Sequence, residues 1–360
     1  MSEVITSFEV MPSEELSRRE RRVLEAVIRS FVETAEPAGS RTLSRRFGLG
    51  VSPATIRNTM SDLEEKGFLF HPHTSAGRVP TSKAYRAYVD TLLGVAPVPI
   101  SDSERLAEEI AARNGGSPIE TILRRAAQTL GVLTQELGVA LGPRFDQSVL
   151  RRLELVRVSA ERLLMVLTLE GGVVRTVFVE VAGEIADTAL GAVTAVLNER
   201  LAGLSLGDIR NSLGSRLRDA GGDPTTAELL NIFVQEGEAL FEAALPMSDG
   251  QHVVLGAASV LAEQPEFSAA DSMRRLLALT ETPHALGEAI RKRVTAPGIS
   301  ITIGAEHDDP RLEEFTVVTA EYHVGSLTGV IGVIGPTRMP YEKVISLVSH
   351  TSRLLSDLLE

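Results

Sequence analysis

The residues with the clearest chemistry occupy the first turn of one predicted helix. Arg57 can donate two hydrogen bonds to guanine, and Asn58 can pair with adenine in the same way. Ser52 and Thr55 add hydroxyls that reach phosphates or base edges, and Thr59 completes the exposed turn. The helix N-terminus also favours a phosphate. This group predicts a surface that reads the major groove of DNA, although a three-helix bundle with a polar outer face would carry the same pattern.

A second polar group lies in the turn-rich segment 71–78. Its imidazoles, hydroxyls and guanidinium suit contacts with phosphates or the minor groove. His71 and His73 could instead bind a metal, but no third ligand of suitable spacing lies near them, so we expect no metal site. The candidate DNA contacts are therefore Arg41, Ser52, Thr55, Arg57, Asn58, His73, Thr74 and Arg78.

Three helices and a hairpin are expected to position these side chains. Apolar residues at a spacing near 3.6 predict a first helix over residues 16–31. Ser40 can cap a second helix, and Ser52 followed by a proline can cap a third that ends near Gly67. Short apolar segments on either side of residues 72–77 predict a β-hairpin. This order is typical of a winged helix-turn-helix.

The charge is divided unevenly along the 360 residues. The whole chain has a formal net charge of −12, yet residues 16–88 contain 13 Lys and Arg against 7 Asp and Glu. A small basic unit is therefore joined to a large acidic body. Such a body would limit non-specific binding to DNA through electrostatic repulsion.

Several other classes of protein are disfavoured. The chain has no cysteine, which excludes disulfides, thiolate metal sites and a cysteine nucleophile and fits a reducing cytoplasm. The first residues carry acids without an apolar core, and no window reaches ~18 apolar residues, so we expect neither a secretory signal nor a membrane span. Nucleotide-binding and hydrolase motifs are absent and the remaining histidines are scattered. We expect no enzyme activity and no cofactor.

The acidic body combines strands and helices. A segment rich in proline, residues 94–99, predicts a linker, and residues 187–279 are mostly helical. The helical stretch indicates either an inserted domain or one continuous α+β domain. The polar loop 306–309 could be solvated or could respond to a ligand, and residues 335–338 form either a plain turn or a place for an anion. The other predicted elements are helices over 82–93, 119–137, 227–244 and 341–359, and strands over 153–158, 163–169, 173–179, 252–255, 299–303, 315–322 and 329–334.

Five sequence blocks resemble those of the heat-inducible transcription repressor HrcA family. They are EPAGSRTL (36–43), GVSPATIRN (50–58), PHTSAGRVPT (72–81), YRAYVD (85–90) and GVIGPTRMPY (332–341). Their order and spacing make the resemblance specific, and it covers essentially the whole chain. Two departures are Thr59, where the family has an acidic residue, and Ala84, where glycine is common.

The resemblance implies an α+β multidomain protein. Its parts are a winged helix-turn-helix domain (1–94), a GAF-like α+β domain in two pieces (95–186 and 281–360), and an inserted, mainly helical dimerisation domain (187–280). It further implies a homodimer that represses chaperone operons by binding an inverted-repeat operator in double-stranded DNA. Titration of a chaperonin partner by heat-denatured protein would release the repression. The alternative is a winged-helix regulator that senses a small molecule through its GAF-like domain.

Overall fold

A computed structural model of the protein describes residues 16–73, 76–91, 98–111, 119–181, 183, 185–218, 224–243, 253–293 and 298–359. The helices are α1 (Arg18–Thr34), α2 (Ser40–Arg46), α3 (Pro53–Glu65), α4 (Ser82–Thr91), α5 (Ile100–Ala111), α6 (Ile119–Thr134), α7 (Asp187–Leu201), α8 (Leu206–Leu217), α9 (Pro224–Ala243), α10 (Ser259–Ala262), α11 (Ala270–Glu281), α12 (Pro283–Arg293) and α13 (Tyr341–Leu359). The strands are β1 (Leu69–Phe70), β2 (Val79–Pro80), β3 (Leu137–Leu141), β4 (Leu150–Ser159), β5 (Arg162–Leu169), β6 (Val174–Glu180), β7 (Val253–Leu255), β8 (Ile299–Ile303), β9 (Phe315–Val324) and β10 (Leu327–Pro336).

The N-terminal unit, α1 to α4 with the hairpin β1–β2, is called the head. Ser17 begins α1 with a reciprocal capping box to Glu20, and Ser52 begins α3 with proline at the next position. Ile28, Leu43 and Ile56 are completely buried where the first three helices meet. The three helices and the antiparallel hairpin lie where the sequence predicted them.

A five-stranded antiparallel sheet forms the centre of the body. Its strand order is β7-β3-β10-β9-β8, with β10 paired to both β3 and β9. Helices α5, α6 and α13 contribute to the core on one face, and α11 and α12 contribute to the core on the other. Because both faces are covered, β10 is buried at nearly every position.

A three-stranded sheet, in the order β4-β5-β6, forms a separate layer. Its strands alternate between buried and exposed residues, as expected for a sheet with one covered face. The buried side chains pack against α7, α8 and α9 in a core of their own.

The topology shows which strands and helices of the body pack together. Strands β4 to β6 were expected in the first part of the GAF-like domain, but they belong with α7 to α9. The resulting unit lies between β3 and β7, which are neighbours in the five-stranded sheet. Helix α11, partly assigned to the insert, packs on the five-stranded sheet. Alternation of apolar residues predicts strands but does not reveal which strands will pair.

Three elements of the body were not predicted. The helix expected to reach residue 137 ends at Thr134, and β3 begins at Leu137 after Gln135 adopts a positive φ of 63°. All five residues of β3 are buried, so the strand has no alternation to recognise. Helices α5 and α12 were also missed.

The head and the five-stranded sheet share one hydrophobic core. Val27 and Tyr85 of the head are part of the same cluster as Tyr341 and Val344 of α13. Residues 92–97, most of the predicted linker, lie outside the described residues. Across the described ranges, no helix has the length and apolar character needed to cross a membrane.

Candidate nucleic-acid interface

The start of α3 is shaped by a hydroxyl pair. The Ser52 side chain accepts a hydrogen bond from the Thr55 backbone N–H at 3.1 Å, and the two hydroxyl oxygens are 2.9 Å apart. Ser52 is exposed, whereas Thr55 is half-buried. The capped turn therefore has a defined geometry before any ligand arrives.

The predicted base-reading side chains lie on the solvent side of this helix. Arg57 and Asn58 are exposed, while Ile56, on the opposite face of α3, is completely buried in the core of the head. Thr59 was expected on the exposed turn but is buried, and its hydroxyl donates to the Thr55 carbonyl at 3.1 Å. A threonine can satisfy its hydroxyl within the helix in this way.

Helix α2 adds basic residues to the head. Arg41 and Arg45 are exposed one turn apart, and no carboxylate in the described ranges pairs with either. Arg46 behaves differently, because it forms an ion pair with Glu33 of α1. Sequence reasoning selected Arg41 and missed Arg45, although the i, i+4 spacing places both on one face.

Arg78 has a different environment from the one predicted. Its guanidinium donates to Glu64 of α3 at 2.8 Å, and its side chain is only 12% exposed. Its backbone forms two hydrogen bonds with Ala38, at 2.9 and 3.0 Å. A Cβ at Gly77 would come within 2.3 Å of the Ala38 carbonyl oxygen, so glycine permits this close approach. The Arg78 side chain therefore joins the hairpin to α3.

The tip of the hairpin is only partly described. His73 is exposed, and its carbonyl accepts from the Ala76 N–H at 2.9 Å in a tight turn. Thr74 lies outside the described residues. The Nδ1 atom of His71 lies 3.1 Å from Glu64. Among the residues that the structure describes, no group of histidines and carboxylates could hold a metal ion.

An ion pair connects the start of α1 to the end of α3. Lys66, which follows α3, donates to Glu20 of α1 at 2.7 Å, and the Glu20 side chain is only 10% exposed. The hydrogen bond from Lys66, with those from Ser17, lowers the pKa of Glu20 to about 2 although burial opposes the shift. Glu20 is therefore a carboxylate at every physiological pH and holds α1 against α3.

The carboxylates of the polar loop after β8 are engaged with groups of the chain itself. Glu306 pairs with Arg86 of the head, Asp308 pairs with Arg293 at 2.6 Å, and Asp309 caps the following turn. A cleft near His307 encloses about 240 Å³ including its open mouth. That is below the roughly 300 to 1,000 Å³ typical of small-molecule sites, so nothing here favours the ligand-sensing alternative.

Comparisons with known proteins agree on one family. The family model described as the HrcA protein C terminal domain matches residues 120–345. The chain is 38% identical over 350 residues to the heat-inducible transcription repressor HrcA of Chlorobium phaeobacteroides strain BS1, covering 95% of this chain and 98% of that relative. It is also 38% identical over 347 residues to the protein of the same name from Geobacter sulfurreducens, covering 96% and 99% of the two chains.

A solved structure has the same fold. It is the crystal structure of a hypothetical protein determined at 2.2 Å resolution, 21% identical, with a TM-score of 0.63 over 96% of this chain and 98% of that one. The sequence matches extend over nearly the whole chain, head included. The chain belongs to the HrcA family of heat-inducible transcription repressors.

Proposed function

We propose that this protein represses transcription by binding an operator in double-stranded DNA through its head. The observation that carries this proposal is the exposure of Arg57 and Asn58 on the first turns of a capped helix, beside the exposed Arg41. In a winged helix-turn-helix, this helix enters the major groove and its N-terminal residues contact base edges. Arg57 and Asn58 would read bases, and Ser52 and Thr55 would hold the helix on the backbone.

The remaining predicted contacts fall into two groups. Arg41 and His73 are exposed and would contact phosphates or the minor groove, with Thr74 beside His73 in the sequence. Arg78 would act indirectly by holding the hairpin in place through Glu64. The hairpin would then serve as the wing.

We further propose that the protein binds as a homodimer. The uncovered face of the three-stranded sheet carries Val156, Leu164 and Phe178 side by side in register across its strands. Val156 and Phe178 are 48% and 55% exposed, and Val174 on the same face is 53% exposed. An apolar sheet face of this kind is expected at a self-complementary interface. A two-fold protein suits an inverted-repeat operator, because each head can present the same helix to one half-site.

We propose that heat regulates this repressor through a chaperonin, as the family resemblance implies. The operator would precede chaperone operons, and the chaperonin would help the repressor to reach its active fold. Heat-denatured proteins would then occupy the chaperonin and release the genes. A chain whose five-stranded sheet is interrupted by an inserted unit folds slowly and exposes apolar surface while doing so, which makes it a suitable chaperonin client. Because its target is chromosomal DNA, the protein would act in the cytoplasm.

The test is binding of the purified protein to an operator duplex and to a scrambled duplex across a salt series, with the mass of the complex recorded. We expect selective binding by two protomers, with affinity that falls steeply as salt rises. Equal and weak binding to both duplexes, unchanged after refolding with chaperonin, would contradict the proposal.

A substitution on the exposed sheet face tests the proposed dimer. Phe178→Asp places a charge on the uncovered sheet face and should give a monomer by light scattering. Leu277→Asp is the matched control, because Leu277 is a similarly exposed apolar residue, at 49%, on α11. A Phe178→Asp protein that stayed dimeric would place the interface elsewhere.

The chaperonin proposal is tested by refolding. Denatured protein is diluted with and without chaperonin and ATP, and the fraction that binds operator is measured. Equal active fractions in the two samples would count against a chaperonin requirement.

A further inference from the structure

The head is attached to the body through a cluster of polar contacts that no DNA-binding role explains. The most enclosed member is Arg338, which follows β10 and is only 14% exposed. Its guanidinium forms a fork on the Glu266 carboxylate and donates separately to the Val32 carbonyl oxygen at 2.7 Å. The Arg338 side chain thus bonds to a residue of the body and to a residue of the head at the same time.

The bond to Val32 satisfies an otherwise unpaired group. Val32 lies in the last turn of α1, where backbone carbonyls lack partners within the helix. A cation at this end also complements the helix dipole. Arg338 therefore acts as a C-terminal cap for α1, supplied from about three hundred residues later in the chain.

A second contact fixes the middle of α1. Arg29 donates to Glu342 of α13 at 2.7 Å, and the Tyr88 hydroxyl of α4 donates to the same carboxylate at 3.1 Å. Since Arg29 lies about one turn before Val32, α1 is held at two places along its length.

A third contact fixes α4. The Arg86 guanidinium donates to the Ile301 carbonyl oxygen of β8 at 2.7 Å and pairs with Glu306 in the loop that follows. Two helices of the head are therefore attached to three different elements of the body, which prevents rotation about any one of them.

The docked head leaves its reading face open. Arg57 and Asn58 are exposed on α3, whereas the contacts to the body come from α1 and α4. The docking therefore does not hide the DNA surface; it determines the direction in which that surface points.

We propose that Arg338 is a positioning residue for DNA recognition, which fixes the orientation of the head on the body and thereby the half-site spacing that a dimer accepts. The inference rests on the proposed dimeric operator binding. When two sites must be engaged together, affinity depends on whether the geometry of the protein matches their separation. Loss of the Arg338 contacts would free the end of α1 and widen the range of head orientations, even with the other contacts in place, and would weaken this selection.

The experiment compares full-length wild type with Arg338→Gln on three kinds of duplex: a single half-site, the operator, and operators whose spacer is lengthened one base pair at a time through a helical turn. Wild type should lose at least about a hundred-fold in affinity at the worst spacing. Arg338→Gln should bind the half-site like wild type but vary less than about ten-fold across the series. An unchanged spacing profile in Arg338→Gln would overturn the proposal.

The matched control is Arg275→Gln. Arg275 of α11 forms an ion pair with Glu314 at 2.8 Å, and both partners belong to the body. Its spacing profile should equal that of wild type. If Arg338→Gln fails to fold, Glu266→Gln removes the charge of the carboxylate that holds Arg338. We expect this variant, too, to vary less in affinity across the spacer series than wild type does.

A second measurement does not depend on DNA. Because the chain has no cysteine, Asp62→Cys on α3 and Arg353→Cys on α13 provide a unique pair of spin labels. Labelled chains are diluted with unlabelled ones so that each dimer carries one pair. The distance between the two labels should have one narrow distribution in wild type and in Arg275→Gln, and a broader one in Arg338→Gln. Equal widths in all three proteins would refute the positioning role. If wild type did not discriminate operator from scrambled DNA, the proposed function would fail while these distances still reported on the junction.

Discussion

The two sides of the head use the same kinds of side chain in opposite ways. On the outer side, Arg41 and Arg57 are exposed and pair with no carboxylate of the described chain. On the inner side, Arg86 of the head binds the Glu306 carboxylate and the Ile301 carbonyl of the body. Facing it from the body, Arg338 binds the Glu266 carboxylate and the Val32 carbonyl of the head. An arginine with unfilled donors is available to a ligand, whereas one whose donors are satisfied is a structural connector. Position relative to the body, and not residue type, separates these roles.

The largest loss of stability is expected from a substitution on the inner side of the head, where it packs on the body. The rings of Tyr85 and Tyr341 lie 5.7 Å apart between head and body, and the buried Tyr85 hydroxyl has no hydrogen-bond partner among the described residues. Tyr85→Ala should lower the free energy of unfolding by about 3 to 5 kcal/mol because it leaves a cavity there. Urea melts followed by circular dichroism measure this.

Tyr85→Phe is the control for that measurement. It keeps the ring and removes only the unpartnered hydroxyl, so its stability should equal or exceed that of wild type. A large loss with Phe would mean that the hydroxyl has a partner in solution.

On the outer side, Arg57→Ala should change binding and leave stability alone. We expect a loss of about 1 to 3 kcal/mol on the operator and much less on random DNA, because a bidentate contact to guanine would be removed. Fluorescence anisotropy on both duplexes measures this, with Arg22→Ala on α1 as a control for the change in charge. An equal loss on both duplexes would assign Arg57 to a phosphate.

Within the head, Glu20→Gln tests an internal contact that belongs to neither side. Glu20 has a pKa of about 2 in the folded protein against an ordinary value of 4.5. Its contribution to stability is therefore complete above pH 4.5 and disappears as the pH falls toward 2. The variant should be less stable by about 1 to 2 kcal/mol at pH 7, since it weakens a charged hydrogen bond and a helix cap.

Thermal melts at several pH values measure this effect. The difference in melting temperature between wild type and Glu20→Gln should become smaller as the pH falls. Glu65→Gln, at an exposed position on α3, should melt close to wild type at every pH. A gap that persisted at pH 2 would mean that the ion pair with Lys66 is not its cause.

The smallest effect is expected for Arg41→Ala. A phosphate contact carries no base information, so binding to operator and random duplexes should weaken equally. The slope of log affinity against log salt should fall by about 1 in magnitude. A loss restricted to the operator would show that Arg41 reads a base. Base reading would then not be confined to α3, as proposed.

Local sequence signals were sufficient to locate the helices and the hairpin of the head. Ser52 followed by Pro53 located the start of α3, and the turn residues between Phe70 and Val79 located the hairpin. These signals work because caps and turns depend on residues within one or two turns of the chain. The buried strand β3 and the pairing of Arg78 with Glu64 had no such signal, since each depends on partners brought together by folding.

The sequence by itself determined most elements of this protein, the basic head and the family, because capping, periodicity, charge and family-like sequence blocks are all properties of the linear chain. Only the tertiary structure decided which strands form one sheet, which arginines remain exposed, and how the head is oriented on the body. Those outcomes depend on contacts between distant residues, such as Val32 with Arg338 and Arg86 with Glu306. No local pattern encodes a contact across more than two hundred residues, because its energy exists only once both partners have been folded into place.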